Sequence, residues 1–445
     1  MPRLKKLNQT AIIFTYAPAG LGHLRVTNAL YKGLPGNYPS HLLGAQDASI
    51  TSFHRFLSIH PLTRSIMEVS QKGLVEDFFT FAYRRYLWIH TQRLYEQLLT
   101  LIDEHVELPK RLLVIASHFG LAHQLSALKS RLFNERKIKL ILVVQVTDDS
   151  PQQIWYVPGA DLTVVPSQFT KTALERYGRL ANLAPTNFVV LPYPLSPFLT
   201  SELSDKKFLQ RKAQLSPQSQ EKIHVSIPIS GAAVGTEFLS RLIKHLLVKS
   251  DRFVFHIISK AAPFTKNFLS EMVSAASVKL YVSEVDREVV NLYDTVYTDN
   301  VIALEITKPS EQAFKALLKP KMIGGSVLLF SNPVGRQEYD NLYFLRRHSL
   351  LPKENEQDKL FNRFTNKEIM AELTKLHEHA QSWRGLRIPD DPQMAGDYIW
   401  WLFKKEILSV MTKWQPPPNF GFHKHEMGSD GVIKFWSFVF AKFNF

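Results

Sequence analysis

Cysteine is absent from the chain. Disulfides, cysteine nucleophiles and cysteine-bound zinc or iron–sulfur sites are thereby excluded. Also absent is any run of about eighteen apolar residues, so no transmembrane helix is expected. The N-terminus imitates a secretion signal, with Arg3, Lys5 and Lys6 ahead of AIIFTYAPAG. Its apolar core is short and a glycine–histidine turn follows at once, so it reads as the first core strand of a cytoplasmic α/β domain. No Gly-Lys-Ser/Thr sequence occurs, which excludes a Walker phosphate loop. There is no short-period repeat and no RNA- or DNA-binding motif, and no nucleic-acid partner is expected.

What is present is a chain of 445 residues, 45% hydrophobic, long enough for two or three domains. The formal net charge is +14. Such a surface favours anionic partners, whether nucleic acid, acidic lipid or phosphorylated small molecules, without choosing among them. Aromatic residues make up 12%, with 30 phenylalanines.

The first half alternates short apolar runs with helical spacing. TAIIFTYAP, RLLVIASHF, KLILVVQVTDD, ADLTVVPS and NFVVLPYPL read as buried strands, and LRVTNALYKGL and SQFTKTALERYG as helices. This alternation predicts a parallel sheet covered on both faces. The pattern restarts with KIHVSIPIS, DRFVFHIIS, VKLYVSE, VIALEIT and SVLLFSNP. The expected organisation is a first Rossmann-like domain over residues 1–200, a polar linker over 201–222, a second Rossmann-like domain over 223–394, and a C-terminal helix and aromatic tail over 395–445. The cleft between two such domains is a usual place for a ligand.

Four stretches carry the candidate chemistry. Gly20, Gly22 and His23 stand where the first strand should become a helix. The third glycine position of a dinucleotide fingerprint is not a glycine here, so that fingerprint fails. A histidine there can act as a general base near neutral pH, or simply cap a tight turn. Asp148 and Asp149 end a strand, and Ser167 is placed to cap the helix that follows. Asp149 is a candidate catalytic carboxylate or a loop-capping one. Thr307, Lys308 and Ser310 end another strand, where the lysine suits a phosphate or stands exposed beside a helix start. Gln337, Glu338 and Asn341 lie near a helix start, with Gln337 and Asn341 on one face. Neutral amides with a carboxylate suit a hydroxyl-rich ligand such as a sugar, and they also make an ordinary polar first turn.

In this order the motifs resemble those of family 28 glycosyltransferases. Within that group the chain looks most like the monogalactosyldiacylglycerol synthase and processive diacylglycerol glucosyltransferase branch. Gly20-Leu21-Gly22-His23 matches the family's Gly-x-Gly-His turn. Thr147, Asp148, Trp155, Asp161, Val165 and Ser167 match a second segment, Pro192 with Ser196–Phe198 a third, Thr307-Lys308 a fourth, and Gln337-Glu338-x-x-Asn341 a fifth. The resemblance implies a GT-B fold, two Rossmann-like domains facing each other across a cleft. It implies a metal-independent, inverting transfer of a sugar from a nucleotide-sugar, expected to be a UDP-sugar, to a hydroxyl of a membrane lipid, as in glycolipid synthesis. No cofactor is expected. His23 and Asp149 are the expected catalytic residues, with Gly20 and Gly22 shaping an acceptor-side loop. Ser230, Gly231, Gly235, Thr307, Lys308, Ser310, Glu311, Gln337, Glu338 and Asn341 are the expected donor-binding set. Where the family carries a ribose-holding glutamate this chain aligns Lys315, which either yields to Glu311 or binds phosphate. VGRQ stands where the family has PGQ, which places Arg336 beside the sugar site. These departures define an alternative on the same fold: a catalytically impaired binding protein for a nucleotide or sugar ligand.

Residues 78–98 interleave Tyr83, Arg84, Arg85, Tyr86 and Trp88 on a helix suited to a lipid headgroup layer, or to packing on its own domain. In the resembled relatives this region approaches the membrane. An anionic membrane surface is the expected partner, and the inner face of the plasma membrane the expected location. The aromatic tail from Val432 to Phe445 either makes a second such contact or packs on the first domain, while Asp397–Val410 is the segment expected to cross back over the cleft.

Overall fold

The computed structural model describes residues 9–16, 21–36, 38–44, 73–105, 108–231, 233–275, 277–366, 373–416 and 425–445. The chain forms two compact units, Met1–Ser196 with Asp430–Phe445, and Pro197–Ser429.

The first unit carries strands β1 (Thr10–Tyr16), β2 (Ser40–Gly44), β3 (Arg111–Ala116), β4 (Lys139–Gln145), β5 (Leu162–Val165) and β6 (Phe188–Val190). They pair in parallel in the order β2-β1-β3-β4-β5-β6. In RLLVIA and KLILVVQ every residue after the first is buried, because parallel strands are covered on both faces. Parallel neighbours require crossovers. The helices Leu21–Lys32, Phe119–Arg136 and Gln168–Leu180 help to provide them.

The second unit repeats the plan with β7 (Ile223–Pro228), β8 (Phe253–Lys260), β9 (Val278–Ser283), β10 (Leu304–Thr307), β11 (Val327–Phe330) and β12 (Gly385–Arg387). Their order is β12-β11-β10-β7-β8-β9, again all parallel. Each unit is thus a six-stranded parallel sheet flanked by helices, the expected Rossmann-like α/β plan. In each sheet the winding reverses beside the first strand, between β1 and β3 and between β7 and β10. Connections leaving such neighbours run to opposite faces and open a crevice at the strands' carboxyl ends.

Two boundary expectations change. Residues 201–222 are an integral part of the second unit rather than a bare linker. They hold the helix Asp205–Gln214, capped by Ser204. Arg211 of that helix is fully buried and donates to the carbonyls of Pro320, Met322 and Ile323, each at 2.6 Å. Arg384, also fully buried, donates to Leu318, Gly325 and Ser326. Burial lowers the two guanidinium pKa values to about 10 and about 9, so both stay cationic at neutral pH.

The segment that joins the first unit is the helix Gly431–Phe443, not Asp397–Val410. Asp397 lies on the helix Pro392–Lys404, tied within the second unit by Lys249 at 2.7 Å and His245 at 2.8 Å. The aromatic tail packs on its own domain. Trp436 is buried, donates to the Leu30 carbonyl at 2.9 Å and meets the Phe14 ring edge-on. Gly431 lies so close to Pro192 and Tyr193 that a Cβ would meet both carbonyl oxygens at 2.4 Å.

Arg211→Ala would leave the Pro320 and Ile323 carbonyls without this donor and weaken the hold on Met322, whose carbonyl keeps the Gly325 amide. It is expected to destabilise the second unit by about 3 kcal/mol or more, read by urea denaturation. Acid should weaken both units. His123 and His256 are fully buried, and burial, aided by Arg84 and His224 respectively, lowers each pKa to about 3. An unfolded histidine takes a proton near pH 6.5, so the unfolded state binds more protons between those values. Stability is then retained above about pH 6.5 and falls towards pH 3 by up to about 1.4 kcal/mol per pH unit for each histidine. His256→Phe is expected to flatten the pH dependence of the urea midpoint across that window.

Candidate functional site

In the first unit, the elements leaving β1, β3 and β4 converge at the reversal. Gly20 lies outside the described residues. Gly22 and His23 occupy the first turn of the helix Leu21–Lys32 rather than a separate bend. The Nδ1 of His23 lies 2.7 Å from the Ser117 carbonyl oxygen, just past β3. A carbonyl only accepts, so Nδ1 carries a proton, and in the neutral ring the lone pair is then on Nε2. Thr147, just past β4, brings its Oγ1 within 3.2 Å of the same Nδ1 and donates to Asp148. Ser117 Oγ is 2.6 Å from Thr27 Oγ1, and Thr27 donates to the His23 carbonyl. The His23 ring meets His118 edge-on at 5.0 Å and Trp155 at 6.3 Å.

Asp149 has a different task from the expected catalytic one. It is fully buried and accepts hydrogen bonds from the Ser167 and Thr170 hydroxyls. Ser167 in turn caps the helix Gln168–Leu180 through the Thr170 amide. The carboxylate is a strut beneath a helix start.

The helix Gly73–Ile89 divides the expected membrane contacts. Arg84 is a correction: it is 4% exposed and donates to the Tyr156 carbonyl and the Tyr177 hydroxyl. Its guanidinium serves the unit's interior. Tyr83 and Trp88 are half-buried, and burial, with Tyr86 beside it, pushes the Tyr83 hydroxyl up to about 12. Arg85 and Tyr86 are exposed, together with Phe79, Phe81 and Ile89. A run of ring contacts leads from the histidines to this face: His118 to Phe119 at 4.6 Å, Phe119 to Tyr83 at 6.4 Å, and Tyr83 to Tyr86 at 6.4 Å.

In the second unit, Ser230 and Gly231 follow β7, Thr307 ends β10 and Lys308 follows it. Gly235 has φ +87°, a left-handed conformation that favours glycine, and it is the N-cap of the 14-residue helix Thr236–Lys249. A Cβ on Gly235 would lie 4.0 Å from Lys308 Cε, so the lysine side chain passes beside that helix start. Unpaired amides of a first helical turn and an ammonium together favour an anion.

The rest of the expected donor set is partly structural. Thr307 is buried and donates to the Lys308 carbonyl. Ser310 makes no side-chain cap, and the segment Glu311–Leu317 is a 3-10 helix rather than an α-helix. Asn341 is fully buried and donates to the Pro309 carbonyl, bracing the turn after β10. Glu338 accepts from the Val334 amide and closes the start of the helix Arg336–Arg347. Gln337 and Glu311 are half-buried. Lys315 binds no phosphate: its Nζ is buried and donates to the hydroxyls of Tyr293 and Tyr297 at 2.6 Å and to Glu305 at 2.8 Å. Burial first, then the Glu305 charge, drives the Tyr297 pKa well above its ordinary value, so Tyr297 remains a donor to Glu305.

Ser117 and His118 escaped the sequence reading. Their signal was available: a polar pair directly after an apolar run. Among the described residues, no group of three or more histidine, aspartate or glutamate side chains could hold a metal ion, and no helix is long and apolar enough to cross a membrane.

Two doubly wound parallel sheets, each with polar residues gathered at its strand reversal, define the class as a two-domain Rossmann-like α/β protein. No protein-family model and no curated protein sequence matches the chain. Among solved structures it is similar to S. aureus MnaA in a co-structure with UDP, at 11% identity and a TM-score of 0.47, over 98% of this chain and 97% of that one. It is also similar to Arabidopsis thaliana UGT89C1 complexed with UDP-L-rhamnose, at 12% identity and 0.45, over 97% and 99%. A third is Acinetobacter baumannii MurG, at 11% identity and 0.40, over 97% and 99%.

Lys315→Met would leave Glu305 buried without its cation. A loss of about 3–5 kcal/mol is expected in urea denaturation. The double replacement Lys315→Met with Glu305→Leu should recover most of it, since no uncompensated charge remains.

Proposed function

We propose that the protein is a metal-independent, inverting glycosyltransferase that moves a sugar from a UDP-sugar to a hydroxyl of a membrane lipid. The observation that carries this reading is the Nδ1–H bond from His23 to the Ser117 carbonyl, which leaves Nε2 as a base. In the proposed reaction Nε2 accepts the proton of the acceptor hydroxyl as its oxygen attacks the anomeric carbon. The bond from that carbon to the diphosphate oxygen breaks on the opposite side, which inverts the centre. The second unit supplies charge for the leaving diphosphate through Lys308 and the amides that open Thr236–Lys249. Ser230, Gly231 and Gly235 allow a phosphate to approach the backbone. Gln337 and Glu311 are the remaining candidates for the sugar and ribose hydroxyls.

The lipid acceptor is supported by the net charge and by the rings that lead from His118 to the exposed Phe79, Phe81, Tyr86 and Ile89. With Arg85 they suit an anionic bilayer surface, and the proposed place is the inner face of the plasma membrane. A second reading keeps the nucleotide or sugar ligand without turnover. It is favoured by the 3-10 segment and the buried Lys315, which replace the ribose-holding glutamate of the resembled family.

Labelled sugar transfer from a panel of UDP-sugars to diacylglycerol-containing vesicles tests both readings. His23→Ala is expected to cut transfer about a hundredfold or more with donor affinity unchanged. Undiminished turnover in that variant would refute the base. Donor binding without any transfer by the unaltered protein would select the second reading.

A further inference from the structure

We infer that His118 is a positioning residue for His23, the next link in a device that starts at the Ser117 carbonyl. The inference rests on the proposed role of His23, and concerns how that ring is held.

His118 occupies the N-cap position of the helix Phe119–Arg136, yet its side chain makes no cap hydrogen bond. Serine, threonine, aspartate or asparagine would serve that position better, so capping does not account for a histidine there. The ring is fully buried. One side stacks on Phe119, with centroids 4.6 Å apart and planes 25° apart. Against His23 it stands nearly perpendicular, at 80° and 5.0 Å. Gly120 keeps the space open: a Cβ there would lie 3.0 Å from His118 Cε1 and 3.2 Å from Nδ1. Glycine in a first helical turn costs stability relative to alanine, so the vacancy has a structural use.

Two consecutive residues therefore constrain one imidazole. Ser117 anchors Nδ1 through its carbonyl, and His118 stands against the ring and limits its rotation. A His23 ring turned over would lose the Ser117 bond and with it the reason for a single tautomer. A hydrogen bond alone fixes one atom; the bond and the ring contact together fix the plane, which sets where the Nε2 lone pair points.

The test is long-range 1H–15N NMR of the histidine-labelled full chain, above the pH at which His23 titrates, alongside transfer kinetics. The unaltered protein is expected to show His23 as a single Nδ1–H tautomer. His118→Ala should give a mixture of tautomers and a drop in kcat of about tenfold with the donor KM unchanged. His118→Phe keeps a ring in place and should restore both. Gly120→Ala pushes the His118 ring without removing it, and should reproduce the mixture even if His118→Ala does not fold. A single unchanged tautomer in the variants that fold would overturn the inference. Tautomer changes as expected, with transfer indifferent to His23→Ala, would uphold the positioning and refute the base.

Discussion

The chemistry of this chain depends on the reversal of winding beside the first strand of each sheet. Parallel strands deliver all their carboxyl ends to one edge. Only at the reversal do neighbouring connections diverge and leave room for a ligand. At β1 and β3 that room holds His23, Ser117 and His118. At β7 and β10 it holds the start of Thr236–Lys249 and Lys308. Both sites are consequences of strand order. Residues more than ninety positions apart, such as His23 and Ser117, meet because β1 and β3 are hydrogen-bonded neighbours.

Buried charge stiffens the second unit around its site. Arg211 and Arg384 gather carbonyls of the turn between Leu318 and Ser326. Lys315, with Glu305 and two tyrosines, holds the 3-10 segment that follows Lys308. Such groups stabilise only while every partner is present, because an unpaired buried charge costs far more than the pair contributes. The arrangement specifies one conformation for the turn after β10, and Asn341 braces the same turn at Pro309.

Much of the fold is legible in the residues. Short continuous apolar runs such as RLLVIA and KLILVVQ suit strands covered on both faces, and their alternation with helical spacing points to parallel sheets. His23 is legible as chemistry because it stands in the glycine-bearing stretch between the first strand and the helix after it. Other residues mislead for identifiable reasons. Arg84 sits in an aromatic and basic helix, and composition does not say which side faces inward; the Tyr156 carbonyl and Tyr177 hydroxyl decide it. Asp149 ends a strand, as a catalytic carboxylate would, but Ser167 and Thr170 from a distant helix start claim it. Lys315 looks like an available cation until Glu305, ten positions earlier, is placed beside it. The tail beyond Val432 looks like a membrane contact because nothing local shows that Leu30 and Phe14 receive Trp436. In each case the partner lies on another element, and no local pattern reports it.

The start of Thr236–Lys249 in the second unit is the proposed site for a nucleoside diphosphate. Isothermal titration calorimetry with UDP, on the unaltered chain and on Lys308→Ala, tests it most directly. Micromolar binding to the unaltered protein is expected, weakened about tenfold or more in the variant by loss of a charge-assisted contact. Absence of binding at millimolar UDP, or equal affinity in the two proteins, would contradict it.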